Sequence, residues 1–478
     1  MVVSELLRAG DRGVSEREQH RVHGIQQEAL MKTLLALASL LVLFAAAGGT
    51  SAALDPRQPL TSRVSVSSSG GEGDLSSFAT GISARGRYVA FSSEATTLVR
   101  GDTNEKRDAF VHDRTTGETT RVSVSSSGAE SHCSDPFGCS SAAGISANGR
   151  YVAIVSDAPD LVSGDTNAAS DVFVHDRRTG VTSRVSISSD GSEGNGFSGF
   201  AAISSDGRYV AFTSSASNLV PGDTNDTADV FVHDRRTGRT TRVSLDSHGR
   251  QTNRASESSG PAISAHGRLV AFMSNASNLV PHDTNNLADV FVRDLRTGRT
   301  TRVSVNSRGR QAAGDRTRNG SNAPSISANG RFVAFHSAAS NLVRGDTNRV
   351  FDIFVHDRQT KQTRRVSVSS RGRQANAESF GPESISPDGR YVAFGSLASN
   401  LVAGDANDIT DVFVYDRRTG RVTIGSLSTE GAQGADGSGN AVGAFSADNL
   451  YLAFSSWSSN LVEGDTNGGP DAFVRRLR

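Results

Sequence analysis

From residue 61 onward the apolar residues come in short bursts between turn residues, and no 3.6-residue stripe is sustained. That pattern predicts many short strands in place of helices. One phrase carries it, in the third copy as AAISSDGRYVAFTS, SASNLVPGDTNDTA, DVFVHDRRTG and RTTRVSLDSHG. It predicts four strands, at residues 201–204, 208–214, 229–234 and 240–245, broken by turn chemistry at Ser205 to Gly207 and Arg236 to Gly238. YVAF and VFV are continuous apolar runs, as expected of strands covered on both faces. TTRVSV alternates, as an outermost strand does. It puts arginine at Arg121, Arg184, Arg242, Arg302 and Arg365. On an exposed edge a long cation discourages pairing with another chain, and that is the role expected of these arginines.

The GDTN-type element recurs seven times, its first aspartate at Asp102, Asp165, Asp223, Asp283, Asp346, Asp405 and Asp465, with spacings of 58 to 63 residues. Copies at a near-constant period mean a repeat architecture. The last copy stops after its third strand, in DAFVRRLR, and the missing phrase stands at the other end as TSRVSVS, Thr61 to Ser67. Pairing the two would seal a ring. The expected fold is therefore all-β, a seven-bladed β-propeller of four-stranded blades over residues 61–478, closed by the N-terminal strand pairing into the last blade.

ISPDGRYVAF at Ile385 to Phe394, followed by DVFVYD at Asp411 to Asp416, resembles the TolB-type propeller repeat of exported bacterial proteins. The resemblance covers all seven copies. It implies the fold and says little of function, because similar propellers serve the Tol envelope system, gate prolyl-oligopeptidase-like enzymes and occur in sugar-active enzymes. This chain departs from the usual phrase by lengthening the loop between the second and third strands with the GDTN element.

Upstream, MKTLLALASLLVLFAAAGGTSAA from Met31 reads as a secretory signal peptide over residues 31–53, with 54–60 a linker. Residues 1–30 read either as an upstream mis-start or as an extension. The expected location is secreted or periplasmic, with no transmembrane anchor once the signal is cleaved. Lys plus Arg and Asp plus Glu are 50 each, so no global field draws the chain to nucleic acid. A monomer is expected. Cys133 and Cys139, close together in one loop of an exported chain, are expected to form a local disulfide.

The strongest chemical recurrence is D-x-N-x-x-x-D: Asp102, Asn104, Asp108; Asp165, Asn167, Asp171; Asp223, Asn225, Asp229; Asp283, Asn285, Asp289; Asp346, Asn348, Asp352; Asp405, Asn407, Asp411; Asp465, Asn467, Asp471. Crowded oxygen ligands suit Ca2+, the one cofactor the sequence suggests. The alternative is a metal-free lattice of Asx-turns with the last aspartate tied to the third strand. His112, His175, His233 and His356 each precede an aspartate, but Arg293, Tyr415 and Arg475 fill the same slot elsewhere, which argues against catalysis. No G-x-S-x-G, HExxH or phosphate loop occurs, and no catalytic residue is assigned.

Length and variability gather in the blade-connecting loops, so a partner is expected on that long-loop face or at the channel mouth. Glu72, Asp74, Glu130, Asp135, Asp190, Glu193, Glu430 and Asp436 make one arc acidic. Arg308, Arg310, Arg316 and Arg318, flanked by Arg250, Arg254, Arg371 and Arg373, make the other basic, and Trp457 adds a ring. The leading expectation is a noncatalytic binding or scaffold propeller engaging a protein or glycan. The competing one is a polysaccharide-active enzyme with an acidic, divalent-metal-dependent site at the channel mouth.

Overall fold

The computed structural model describes residues 61–133, 139–256, 260–314 and 320–477, and every regular element among them is a strand. The signal-like segment and the linker lie outside the described residues. The chain enters with β1 (Thr61–Arg63). Blade one is β2 (Ser77–Ile82), β3 (Tyr88–Ser93), β4 (Asp108–Asp113) and β5 (Glu118–Arg121). Blade two is β6 (Ser140–Ile145), β7 (Tyr151–Ser156), β8 (Asp171–Asp176) and β9 (Val181–Arg184). Blade three is β10 (Ser198–Ile203), β11 (Tyr209–Ser214), β12 (Asp229–Asp234) and β13 (Arg239–Arg242). Blade four is β14 (Ala262–Ile263), β15 (Leu269–Ser274), β16 (Asp289–Asp294) and β17 (Arg299–Arg302). Blade five is β18 (Ser321–Ile326), β19 (Phe332–Ser337), β20 (Asp352–Asp357) and β21 (Gln362–Arg365). Blade six is β22 (Ser379–Ile385), β23 (Tyr391–Ser396), β24 (Asp411–Asp416) and β25 (Val422–Ile424). Blade seven takes β26 (Ser438–Phe445), β27 (Tyr451–Ser456) and β28 (Asp471–Arg476), and borrows β1 as its fourth strand.

All pairings are antiparallel between sequence neighbours except the seal, where Thr61, Ser62 and Arg63 stand opposite Arg475, Val474 and Phe473. The innermost strands contact one another in sequence and β26 contacts β2, so the sheets stand in a ring. The expected seven-bladed propeller and its closure are thus the architecture found.

The core lies between blades, not within them. Seven apolar clusters each join two adjacent blades, and the one at the seal packs Val64, Ala472 and Val474 against Phe91, Leu98 and Phe110. The third strands of blades one and two are buried at every residue, which accounts for their unbroken apolar runs. Paired rings such as Phe91 and Phe110, 5.5 Å apart, fill the middle of six blades, and blade two sets Ile154 opposite Phe173 instead. The glycine of the DGRY-type turn has a packing reason. At Gly149 (φ 74°) an added Cβ would lie 2.1 Å from the Tyr88 ring of the preceding blade.

The outermost strands are shorter than the alternation suggests. In blade three the fourth strand ends at Arg242, because Val243 and Ser244 both turn their N–H groups to the single carbonyl of Val230, at 2.7 and 3.4 Å. Residues 245–251 then fold into a hairpin reaching sideways to the next blade. There the Ser247 hydroxyl accepts from Thr300 N–H at 3.0 Å and donates to Thr300 C=O at 3.3 Å, capping the middle of β17. The same latch joins Ser68 to Thr119, Ser126 to Thr182, Ser189 to Thr240 and Ser307 to Thr363. Serine hydroxyls, not arginines, protect these edges.

Candidate functional site

The arginines expected on the exposed edge are buried. In blade two Arg184 Nη1 lies 2.9 Å from Asp171, 3.4 Å from Asp165, and against Glu193 as well, with its side chain 9% exposed. Arg121, Arg242, Arg302 and Arg365 do the same in blades one, three, four and five, and Arg63 on β1 does it for Asp465 and Asp471 across the seal. The correction has a geometric cause. The arginine of the fourth strand stands opposite the phenylalanine of the third, so its head reaches back over the aspartates at the start of that strand. Blade six is the exception: Ile424 stands opposite Phe413 where the others have arginine.

Around each cation the loop closes on itself. Asn167 Oδ1 accepts from Ala169 N–H at 2.8 Å, an Asx-turn, while its Nδ2 donates to Asp171 and to Gly194 C=O at 3.0 and 2.8 Å. Ser186 donates to the other oxygen of Asp171. Nine residues past each arginine stands Glu72, Glu130, Glu193, Gln251, Gln311 or Gln374, which also bonds the GDTN threonine. That spacing is a sequence signal that strand patterning alone overlooks. Burial pushes Asp102 and Asp465 up to about 7, and Asp165, Asp283 and Asp346 to about 6, with the neighbouring aspartate adding to the rise. Burial also raises Glu130 and Glu193, but bonds from threonine and arginine outweigh it and bring both down to about 2.

These contacts bear on the calcium expectation. In six of the seven loops a guanidinium group lies 2.9 to 3.7 Å from both aspartates and supplies positive charge where Ca2+ would bring it, while the carboxylates of Glu72, Asp465 and Asp471, of Asp102, Asp108 and Glu130, and of Asp165, Asp171 and Glu193 come within 4.8 Å of one another. In blade six Asp405, Asn407 and Asp411 lack that cation. Asp411 still takes bonds from Ser426 at 2.6 Å and Asn407 at 3.1 Å.

The histidines are latch parts. His112, His175, His233 and His356 are buried with Nδ1 2.9 Å from the hydroxyl of Thr119, Thr182, Thr240 and Thr363. Burial pushes His233 and His356 down to about 4, so both are neutral at ordinary pH. Arg293 and Arg475 fill the slot by donating to carbonyls of the preceding hairpin. The sulfurs of Cys133 and Cys139, the expected disulfide pair, lie within 4.8 Å of each other, and burial raises the Cys139 thiol above its ordinary value.

The charged arcs also change. Glu72, Glu130 and Glu193 turn inward to the clusters, and Asp74 bonds Thr96 and Thr97, so half of the acidic arc is consumed internally. Asp135, Arg316 and Arg318 lie outside the described residues. Arg250 pairs with Asp246 at 2.6 Å. Arg310, Arg371 and Arg373 are exposed on hairpins, and Trp457 is half-buried on the long-loop side.

Arg308 joins a site. A groove of about 590 Å3 runs down the outer wall between blades four and five, bounded by Val280 and Pro281, the strand β17, the hairpin around Arg308, and Arg358 and Lys361 at the turn of blade five. No carboxylate lines it. Among the described residues, no ion pair engages Arg299, Arg308 or Lys361, and all three are exposed.

No protein-family model and no curated protein matches this sequence. Solved structures do resemble it. An oligogalacturonate lyase in complex with manganese is 13% identical with a TM-score of 0.51, covering 87% of this chain and 93% of that one. TolB from Acinetobacter baumannii is 14% identical with a TM-score of 0.37, covering 73% of this chain and 66% of that one, just under two thirds of its length. A seven-bladed β-propeller is the class this fold defines, and at such identities the likeness extends to the fold alone.

Proposed function

We propose that this chain is an exported, noncatalytic propeller that binds a protein or glycan partner. The observation that carries the reading is the groove between blades four and five, where cations face solvent with no carboxylate in the lining. Exposed charge left without a counter-charge inside the protein is available to a partner of opposite sign. The recurrent acids and histidines, by contrast, are engaged by arginine, serine and threonine inside the blades, which leaves them no reacting role. The contact expected on the long-loop face accordingly moves to the outer wall, with Val280 and Pro281 joining the two. Export rests on the apolar run after Met31.

The test is a pull-down from envelope extract with the mature protein, alongside a turnover assay on a panel of polysaccharides. A retained partner with no turnover is the expected result. Turnover of any glycan would remove the noncatalytic reading.

A further inference from the structure

We infer that the groove between blades four and five takes an acidic segment of a protein partner, gripped by Arg299, Arg308 and Lys361. The inference rests on the binding reading above and names the chemistry of the partner.

Three observations converge. The neutral polar groups of the groove are already committed. Thr300 donates to Leu245 C=O, and Ser307 both donates to and accepts from the backbone of Thr363. Asn306 Oδ1 accepts from the N–H groups of Arg308 and Arg310 at 2.9 and 3.0 Å. A sugar would find few free partners for its hydroxyls here, and no phenylalanine, tyrosine or tryptophan lines the groove for a sugar face to stack on. What remains open is charge beside the aliphatic surface of Val280, Pro281 and Val305. That combination suits the carboxylates and aliphatic stems of an extended acidic peptide.

The second observation is backbone conformation. Lys361 has φ 62°, whereas the turns of blades one, two, three, four and six place Gly117, Gly180, Gly238, Gly298 and Gly420 there, at φ 68 to 77°. A side chain in the left-handed region is disfavoured, and such residues gather at ligand-binding sites. Here the side chain so placed is an ammonium group lining the groove.

The third is a substitution one residue layer away. At other junctions the guanidinium equivalent to Arg358 stacks on a ring of the preceding blade, as Arg177 does on Tyr88 at 4.5 Å and Arg417 on Phe332 at 3.8 Å. At this junction the ring is replaced by Leu269, so Arg358 has no such platform and adds its charge to the groove.

Fluorescence anisotropy with a short labelled peptide of alternating Glu and Val tests this, against the same peptide with Gln for Glu and against polygalacturonate. The Glu peptide should bind, weaken with salt, and lose about tenfold or more in affinity when R299E and R308E are combined. K361G should weaken binding about threefold while raising the melting temperature, a pairing that a purely structural lysine would not give. Equal binding of the Gln peptide, or affinity unchanged in R299E/R308E, overturns the inference. So does polygalacturonate binding through these residues in place of the peptide. A natural partner still retained by R299E/R308E overturns this inference alone, whereas glycan turnover overturns the reading beneath it.

Discussion

Blade two and blade six are written in the same phrase, yet one holds its aspartate pair with a buried arginine and the other with none. In blade two Arg184 bridges Asp165, Asp171 and Glu193. In blade six Ile424 has that position, and Gly425 follows it where the other copies have valine. A Cβ on Gly425 would come within 3.1 Å of Leu452 in blade seven, which stands where the other blades carry valine. The departures are thus a linked set: a larger neighbour, a smaller residue facing it, and a fourth strand reduced to Val422–Ile424. Despite this, Asn407 and Ser426 make the same bonds to Asp411 as their counterparts do in blade two. The asparagine and serine therefore build the loop, and the arginine neutralises the charge that the loop concentrates.

The largest expected effect comes from giving blade seven both defects at once. Deleting residues 61–65 removes β1, Arg63 and the buried Val64, and should cost more than about 5 kcal/mol. Urea denaturation checks it, and a variant that melts like the parent would break the account of the seal. Next is Arg184→Ile, which imports the blade-six residue and strands three carboxylates. A loss of about 3–5 kcal/mol is expected by the same measurement, and a loss below about 1 kcal/mol would mean that the arginine is ornamental.

Smaller, and opposite in sign, is Ile424→Arg, which should stabilise by about 1 kcal/mol if the new guanidinium reaches Asp405 and Asp411. It should also change the pH profile. Burial, and then the neighbouring Asp411, raise Asp405 from 3.8 to about 6. A raised carboxyl binds its proton more tightly folded than unfolded, so its stabilising share is complete below pH 3.8 and is lost as pH climbs through about 6. Asp165, Asp283 and Asp346 act in the same direction. The melting temperature should therefore fall between pH 4 and 7, and less steeply in I424R. Smallest is a difference in amide exchange, with β25 exchanging faster than β9.

The architecture was readable because it is stated seven times, and the seal because the phrase missing at Asp471 to Arg478 stands at Thr61 to Ser67. The site was less so. Arg121 is 13 residues from Asp108, and only the reversal of direction between the third and fourth strands brings them together. Read along the chain, the arginine alternates like an edge residue. The nine-residue step from Arg121 to Glu130, repeated in five other copies, was the available sign of an inward role. The groove was harder still, because Arg299, Arg308 and Lys361 belong to different turns of two blades. Its one linear trace is the lysine of RQTKQT in a slot where the other turns have glycine.

The seal has a consequence for the order of assembly. Thr61 and Arg475, bonded to each other at 2.8 Å, are 414 residues apart, so the first strand to leave the ribosome waits for the last. Closing so long a segment directly would cost much entropy, so the seal depends on the intervening blades, whose pairings between sequence neighbours bring the two ends together first. Until Asp471 to Arg476 emerge, the growing chain is an open arc with a bare edge at each end.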